Sequence, residues 1–211
     1  ILDGSTLGKI EIKGEDALEF MNLIYTNSFS KMKQGSARYA LMLGEDGMVK
    51  DDGIICKISD QHFIATTTTG GAATVLGCME EYAQTEWPNL KVFMNSITEQ
   101  YATFNISGPK TREIMKKVFP DINFSNENFP FMTFQFHEFN DVPIRILRAS
   151  FTGELGYEIY IASNSAPKIW DRIQSFGKEF GLTPYGTEAM HLLRAEKGYI
   201  IVGQDLSLIH I

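Results

Sequence analysis

Two groups of polar residues interrupt otherwise apolar strands in this sequence. In the run Ser150-Phe-Thr-Gly-Glu-Leu-Gly-Tyr-Glu-Ile-Tyr-Ile161, Thr152-Gly153 and Leu155-Gly156 read as a tight turn, and Tyr157 to Ile161 as a β-strand. Alternation puts Glu158 and Tyr160 on one face and Tyr157, Ile159 and Ile161 on the other. A strand carboxylate facing inward must be paired or must meet a donor, because a lone buried charge costs several kcal/mol. Glu158 is therefore a candidate ligand contact. The hairpin Gly44 to Gly53 carries Asp51 and Asp52 side by side. Neighbours on a strand point to opposite faces, so one of the pair can face a site while the other faces solvent. On composition alone, the plainer reading of both as hairpin residues weighs more.

Two further groups could bind anions or polar rings. Thr66-Thr-Thr-Thr-Gly-Gly71 follows an apolar strand and precedes a helix, where hydroxyls and amides can hold an anion or a polar heterocycle. It lacks the Lys-Ser/Thr ending of a phosphate-binding loop, and strand end plus helix cap is the simpler reading. Arg194, in Leu192-Leu-Arg-Ala-Glu-Lys-Gly198, could clamp a carboxylate bidentately or pair with Glu158 or Glu196. His62, His137 and His191 are too scattered for a metal triad, so no metal site is expected. No nucleophile–base order and no Gly-x-Gly-x-x-Gly fingerprint occurs.

The elements that must hold these residues are readable from periodicity. Leu7–Lys13 alternates as a strand, Gly14 punctuates, and Glu15–Ile24 has helical spacing. Tyr101–Ser107, Gly108-Pro109 and a helix through Ile114 and Met115 repeat that order. Ile10-Glu-Ile-Lys-Gly14 and Phe104-Asn-Ile-Ser-Gly108 fall at equivalent places, which predicts two α+β halves near residues 1–100 and 101–205. Ala37–Leu43, Met48–Ile58, His62–Thr67, Phe131–Phe139, Pro143–Ser150 and Tyr157–Ile161 read as strands, with Asp141-Val-Pro143 as a turn. Ala72–Tyr82, Pro167–Phe180 and Gly186–Lys197 read as helices, the last with Thr187 as its N-cap. Strands and helices in two halves fit α+β better than a parallel α/β sheet.

The 211 residues are 44% hydrophobic and 12% aromatic, enough for a sizeable core. A net charge of −7 argues against general nucleic-acid binding. No apolar run is long enough to span a membrane. Cys56 and Cys78 fit neither a disulfide framework nor a zinc motif, which predicts core thiols in a reducing, cytoplasmic compartment. The chain starts at Ile1 and reads as a fragment. Its tail, Leu206 to Ile211, matches the translation of a transposon sequencing adapter and is expected to be non-native.

Three spaced elements together resemble the folate-binding aminomethyltransferase family, typified by the T-protein of the glycine cleavage system. They are Asp46-Gly-Met-Val-Lys-Asp-Asp52, Thr152 to Glu158 with its Thr-Gly-Glu-x-Gly-x-Glu order, and Leu193-Arg-Ala-Glu-Lys-Gly198. Ala37 to Gly47, Thr66 to Gly71, Thr85-Glu-Trp-Pro88 and Leu193 to Gly198 are more similar to the branch formed by the folate domain of the sarcosine oxidase α-subunit. Thr68, where T-proteins carry an asparagine, and Gly53, where they carry a bulky residue, are departures in the same direction.

The resemblance implies the T-protein folate-binding fold, with two ferredoxin-like antiparallel halves and the C-terminal barrel subdomain missing. It implies tetrahydrofolate as the cofactor of this domain, with flavins and NAD confined to missing segments or partner subunits. Position by position, Asp52 matches the family's essential aspartate, with Asp51 the alternative if the register shifts by one. Glu158 matches the carboxylate that binds the amino-pyrimidine edge of the pterin, and Arg194 the motif arginine near the folate. Thr68 and Tyr157 are carried over as further cofactor contacts, and Phe151 either meets the ring or fills core. Glu158 and Asp52 are expected to line one cavity, with Glu154 nearer solvent. The implied activity is capture of the one-carbon unit of oxidised sarcosine as 5,10-methylenetetrahydrofolate, alongside sarcosine oxidase partner subunits. An aminomethyltransferase and a non-catalytic folate-binding module are the alternatives.

Overall fold

Ile10 and Ile12 alternate with Lys9, Glu11 and Lys13, while Phe104 and Ile106 alternate with Thr103, Asn105 and Ser107. Each run is a strand that buries its apolar residues against helices. The computed structural model describes residues 1–206. In chain order the elements are β1 (Leu2–Asp3), β2 (Gly8–Lys13), α1 (Ala17–Ile24), β3 (Ala37–Leu43), β4 (Val49–Ser59), β5 (His62–Thr67), α2 (Ala72–Thr85) and β6 (Phe93–Ser96). They continue with β7 (Tyr101–Ser107), α3 (Thr111–Val118), β8 (Phe134–Phe139), β9 (Val142–Leu147), β10 (Gly156–Ala162), α4 (Ala166–Gly177) and α5 (Thr187–Lys197).

Contacts divide the chain into two compact units, residues 6–98 with the residues from 201, and residues 1–5 with 99–200. The first unit holds a five-stranded sheet of order β3-β4-β5-β2-β6 and the second one of order β1-β7-β10-β9-β8, and their ladders are antiparallel. Leaving out β3, the first sheet has the β-α-β-β-α-β order of ferredoxin-like folds. In the second, the place of β6 is taken by β1, whose Leu2 and Asp3 pair with Asn105 and Phe104. The fold is thus α+β with two antiparallel sheets, as expected, and the described residues form no closed barrel.

The internal repeat is visible atom by atom. Gly14 and Gly108 both adopt positive φ, 147° and 134°, a region open to glycine and strained for other residues. Each glycine carbonyl accepts from the amide three residues on, Ala17 at 3.2 Å and Thr111 at 3.1 Å, which starts the helix. The helices then bury matching positions: Ala17, Phe20, Met21 and Ile24 in α1, and Thr111, Ile114, Met115 and Val118 in α3. That i, i+3, i+4, i+7 spacing makes one apolar stripe per helix. The stripes pack into separate cores, one around Phe20, Phe29, Ile55 and Phe63, the other around Phe104, Phe124, Phe129 and Ile159. Each such side chain stabilises its unit by about 1.5–3 kcal/mol relative to leaving it in water. Cys78 is part of the first core, and Cys56 is buried on the face of β4 opposite the core residue Ile55; neither is in a disulfide.

Some elements differ from the sequence reading. β1 and β6 were not foreseen. Val142 and Pro143 belong to β9, because the turn is made one residue earlier by Asn140 and Asp141, both at positive φ. Pro143 is tolerated there because it pairs with Glu138 of β8 while β10 pairs with β9 only from Ile144 onward, so no ladder bond needs its missing N–H. Gly156 opens β10 rather than closing the turn. The N-cap of α5 is Gly186, with Thr187 the first helical residue. Of the suspect tail, residues 207–211 lie outside the described residues. No described helix is long and apolar enough to cross a membrane.

Candidate functional site

Asp51 and Asp52 stand where the β3–β4 ladder is irregular. Met42 pairs with Asp51 but Leu43 pairs with Val49, so Lys50 is an extra residue on β4. Such a bulge re-aims the side chains that follow it. Downstream of it, Asp51, Gly53 and Ile55 share the face that carries Ala40, Met42 and the core, while Asp52 and Ile54 share the opposite face with Tyr39 and Leu41. Asp52 is half-buried, and its Oδ2 accepts the Tyr39 hydroxyl at 2.6 Å. Burial pushes its carboxyl above the ordinary range, and the Tyr39 hydrogen bond opposes that rise. The Tyr39 phenol is pushed up in turn, by burial and then by Asp52. Tyr39 was not a candidate from the sequence; only the cross-strand register reveals it.

Asp51 is buried, 3% exposed, and faces the start of α2. Its Oδ2 accepts the Thr68 amide at 3.2 Å, and the Thr68 hydroxyl accepts the Gly71 amide at 3.0 Å. Burial raises the Asp51 carboxyl, and hydrogen bonds from the Thr68 hydroxyl and amide pull the other way. Its Oδ1 is buried without a hydrogen-bond partner among the described residues. The Thr68 side chain is therefore occupied at the start of α2, while its amide ties the turn to β4. Gly53 explains its own small size: a Cβ there would lie 1.8 Å from the Thr66 carbonyl oxygen.

In the second unit, Glu158 lies on the face of β10 opposite the core, as its alternation requires, while Tyr157, Ile159 and Ile161 enter the core. The Tyr160 hydroxyl donates to Glu158 Oε2 at 2.5 Å. Glu158 also lines a cavity with Leu2, Asn105, Ser107, Phe151, Tyr185 and Met190, among others. Every lining residue belongs to residues 1–5 or 99–200. Asn105 is the cross-strand neighbour of Glu158, and its side-chain oxygen is buried with no hydrogen-bond partner among the described residues. Burial raises the Tyr185 phenol, a hydrogen bond with Ser107 opposes this, and the charge of Glu158 adds to it. Asn105 and Tyr185 also escaped the sequence reading, being 53 residues before and 27 after Glu158 by number. Glu154 is exposed and pairs with Lys197 at 3.7 Å.

Arg194 is 9% exposed and its Nη1 donates to the Tyr199 carbonyl at 3.0 Å, closing the end of α5. The Tyr199 ring stacks on Phe151 with centroids 6.0 Å apart, so Arg194 supports one wall of the cavity through that pair. Tyr157 lines the cavity but commits its ring to the core, edge-on to Phe124 and Phe129. The structure thus groups Asp51, Asp52 and Thr68 in the first unit, and Glu158, Tyr157 and Arg194 in the second. The described residues contain no cluster of three or more His, Cys, Asp or Glu fit for a metal ion.

Residues 1–209 match the family described as GCVT N-terminal domain. The chain belongs to that family. It is 52% identical to sarcosine oxidase subunit alpha of Corynebacterium sp. (strain P-1), over 97% of this chain and 21% of the relative. Against the same subunit of Rhizobium meliloti (strain 1021) it is 42% identical over 95% of the chain and 20% of the relative. It is 30% identical to the aminomethyltransferase of Flavobacterium psychrophilum, covering 98% of this chain and 56% of that protein. The chain therefore spans about a fifth of the sarcosine oxidase relatives and about half of the aminomethyltransferase. Among solved structures, the fold is that of the glycine cleavage aminomethyltransferase T from Bartonella henselae (TM-score 0.80, 21% identity, 95% of this chain and 51% of that one). A chain of heterotetrameric sarcosine oxidase from Corynebacterium sp. U-96 also shares the fold, at TM-score 0.60 and 11% identity, over 86% of this chain and 84% of that one.

Proposed function

We propose that this chain is the tetrahydrofolate-binding domain of a sarcosine oxidase α-subunit, taking up the one-carbon unit of oxidised sarcosine as 5,10-methylenetetrahydrofolate. The observation that carries the reading is the 52% identity to such a subunit over 97% of the chain, against 30% to an aminomethyltransferase. The polar groups suit a pterin. An amino-pyrimidine edge offers paired N–H donors, and Glu158 and the Asn105 side-chain oxygen are acceptors in one cavity. The Tyr160 hydroxyl donates to one Glu158 oxygen and so orients the carboxylate.

Folate supplies the nucleophilic amine for the one-carbon unit. Asp52 stabilises the positive charge that develops on that amine or takes its proton, and the Tyr39 hydroxyl fixes the carboxylate for either role. Arg194 and Tyr157 act as supports of the Glu158 cavity, and Thr68 as a support of the Asp51–Asp52 segment. Sarcosine oxidation, with its flavins and NAD, belongs to segments and partner subunits outside this chain. Cys56 and Cys78, both buried and neither in a disulfide, favour a cytoplasmic setting.

The test is Asp52→Asn in the full-length protein. Sarcosine should still reduce the flavin, while the yield of methylenetetrahydrofolate falls at least tenfold. Unchanged folate product would refute the assignment.

A further inference from the structure

Only one of the two adjacent aspartates needs to act on a ligand, and the start of β4 indicates what the other does. Pairing between β4 and β5 runs from Ser59–His62 to Ile55–Ala65 and stops there. Beyond it, side chains replace the backbone ladder. The Thr66 hydroxyl accepts the Ile54 amide at 2.8 Å, and Asp51 Oδ2 accepts the Thr68 amide at 3.2 Å. On the other edge of the same segment lies the Lys50 bulge. Register is weakly specified at such a place, and a slip of one residue would turn Asp52 to the opposite face.

We propose that Asp51 is the positioning residue for Asp52. By holding the Thr68 amide, it ties the 66–71 turn and the start of α2 to β4, which keeps Asp51 on the core face and Asp52 beside Tyr39. Its carboxyl does not touch the reacting atoms. The Thr68 hydroxyl carries the link onward to the Gly71 amide, and the approach is close: a Cβ on Gly71 would lie 2.7 Å from Asp51 Oδ2. This deepens the reading of Asp52 above and rests on it for its catalytic consequences, but not for its structural one.

The test compares Asp51→Ala, Asp51→Asn and Asp52→Asn in the full-length protein. Methylenetetrahydrofolate formation is measured per folded molecule, and a crystal structure of Asp51→Ala is determined. Asp51→Ala should lower kcat at least tenfold and break the Tyr39–Asp52 hydrogen bond. Asp51→Asn, whose side-chain oxygen can still accept the Thr68 amide, should recover most of that loss; Asp52→Asn should not. If Asp51→Asn is as inactive as Asp51→Ala, Asp51 acts through its charge and the proposal fails. It also fails if Asp51→Ala lowers only the melting temperature, or if Tyr39 still binds Asp52 in its crystal structure. Full activity of Asp52→Asn would instead overturn the role given to Asp52, and the crystal structure would still decide the positioning claim.

Discussion

Aligning the two units on Gly14 and Gly108 places Glu11 with Asn105. Through the pairing registers, Ile64 then falls with Glu158, Gly53 with Ile144, and Tyr39 with Phe136. The scaffold is shared, yet the polar residues are not. The second unit carries a carboxylate in the middle of β10, where the first has the buried Ile64. The first unit carries its carboxylates at the splayed end of β4, where the second has Val142 and Pro143. One sheet thus uses a regular ladder to present Glu158, and the other uses a bulge, a glycine and side-chain clamps to present Asp52. A duplicated framework tolerates this divergence because alternation separates the face that makes the core from the face that can vary.

The sharpest challenge to that comparison is Gly53→Val. A side chain there meets the Thr66 carbonyl, so the substitution should cost about 3 kcal/mol or more by overpacking, whereas Ile144→Val at the matching position should cost about 1 kcal/mol. Denaturant midpoints of the two variants would show it, and equal costs would mean that β4 does not approach β5 as described. The paired glycines give a finer contrast. Gly14→Ala carries backbone strain and a clash with the Lys91 carbonyl, while Gly108→Ala carries strain alone, with nothing within 4 Å of its Cβ. The first should destabilise by about 3 kcal/mol and the second by about 1–2 kcal/mol. Glu158→Gln should weaken tetrahydrofolate binding roughly 10–100-fold, since a hydrogen bond to a charged group is worth about 1.5–3 kcal/mol. Calorimetry on the full-length protein measures this, and a melting curve should show the fold retained.

The smallest effects concern pH. Asp52 has a folded pKa raised by burial, so its contribution to stability is fully present below its unfolded value and lost as pH rises through the folded one. Asp52→Asn should therefore raise the melting temperature near pH 7 and leave it unchanged near pH 3. Glu11 has the opposite sign. Burial alone would raise its pKa, but Lys13 and His62 outweigh it, so its contribution exists above the unfolded value and is lost as pH falls through the folded one. Glu11→Gln should cost under about 1 kcal/mol at pH 7 because the group is partly solvated, and nothing at low pH.

Much of this was legible in the sequence. Period-two and helical spacing located β2, β5, β7, β10 and both glycine–helix turns, because core burial imposes those patterns. The strand residue Glu158 was conspicuous as a carboxylate in an apolar run. β6 was illegible because its Phe-Met-Asn-Ser segment is short and leaves Phe93 exposed, and β1 because two residues have no period. Tyr39, Asn105 and Tyr185 were missed for another reason: their roles come from register and chain reversal, which no local pattern records. The resemblance to the aminomethyltransferase family named Asp52, but the local sequence could not tell it from Asp51. The bulge at Lys50 decides which way each points.

The N-terminal strand also has a kinetic meaning. Pairing Leu2 with Asn105 closes a loop that contains all of residues 6–98. If that segment were unfolded, closure would carry the entropy of a long flexible chain. Once it has folded, its ends are neighbours, for the Lys9 amide donates to the Thr98 hydroxyl at 3.0 Å and the Ile97 amide to the Lys9 carbonyl at 2.8 Å. The effective loop then shrinks to a few residues. Assembly should consequently be ordered, with residues 6–98 acting as a template that delivers the first strand to the second sheet.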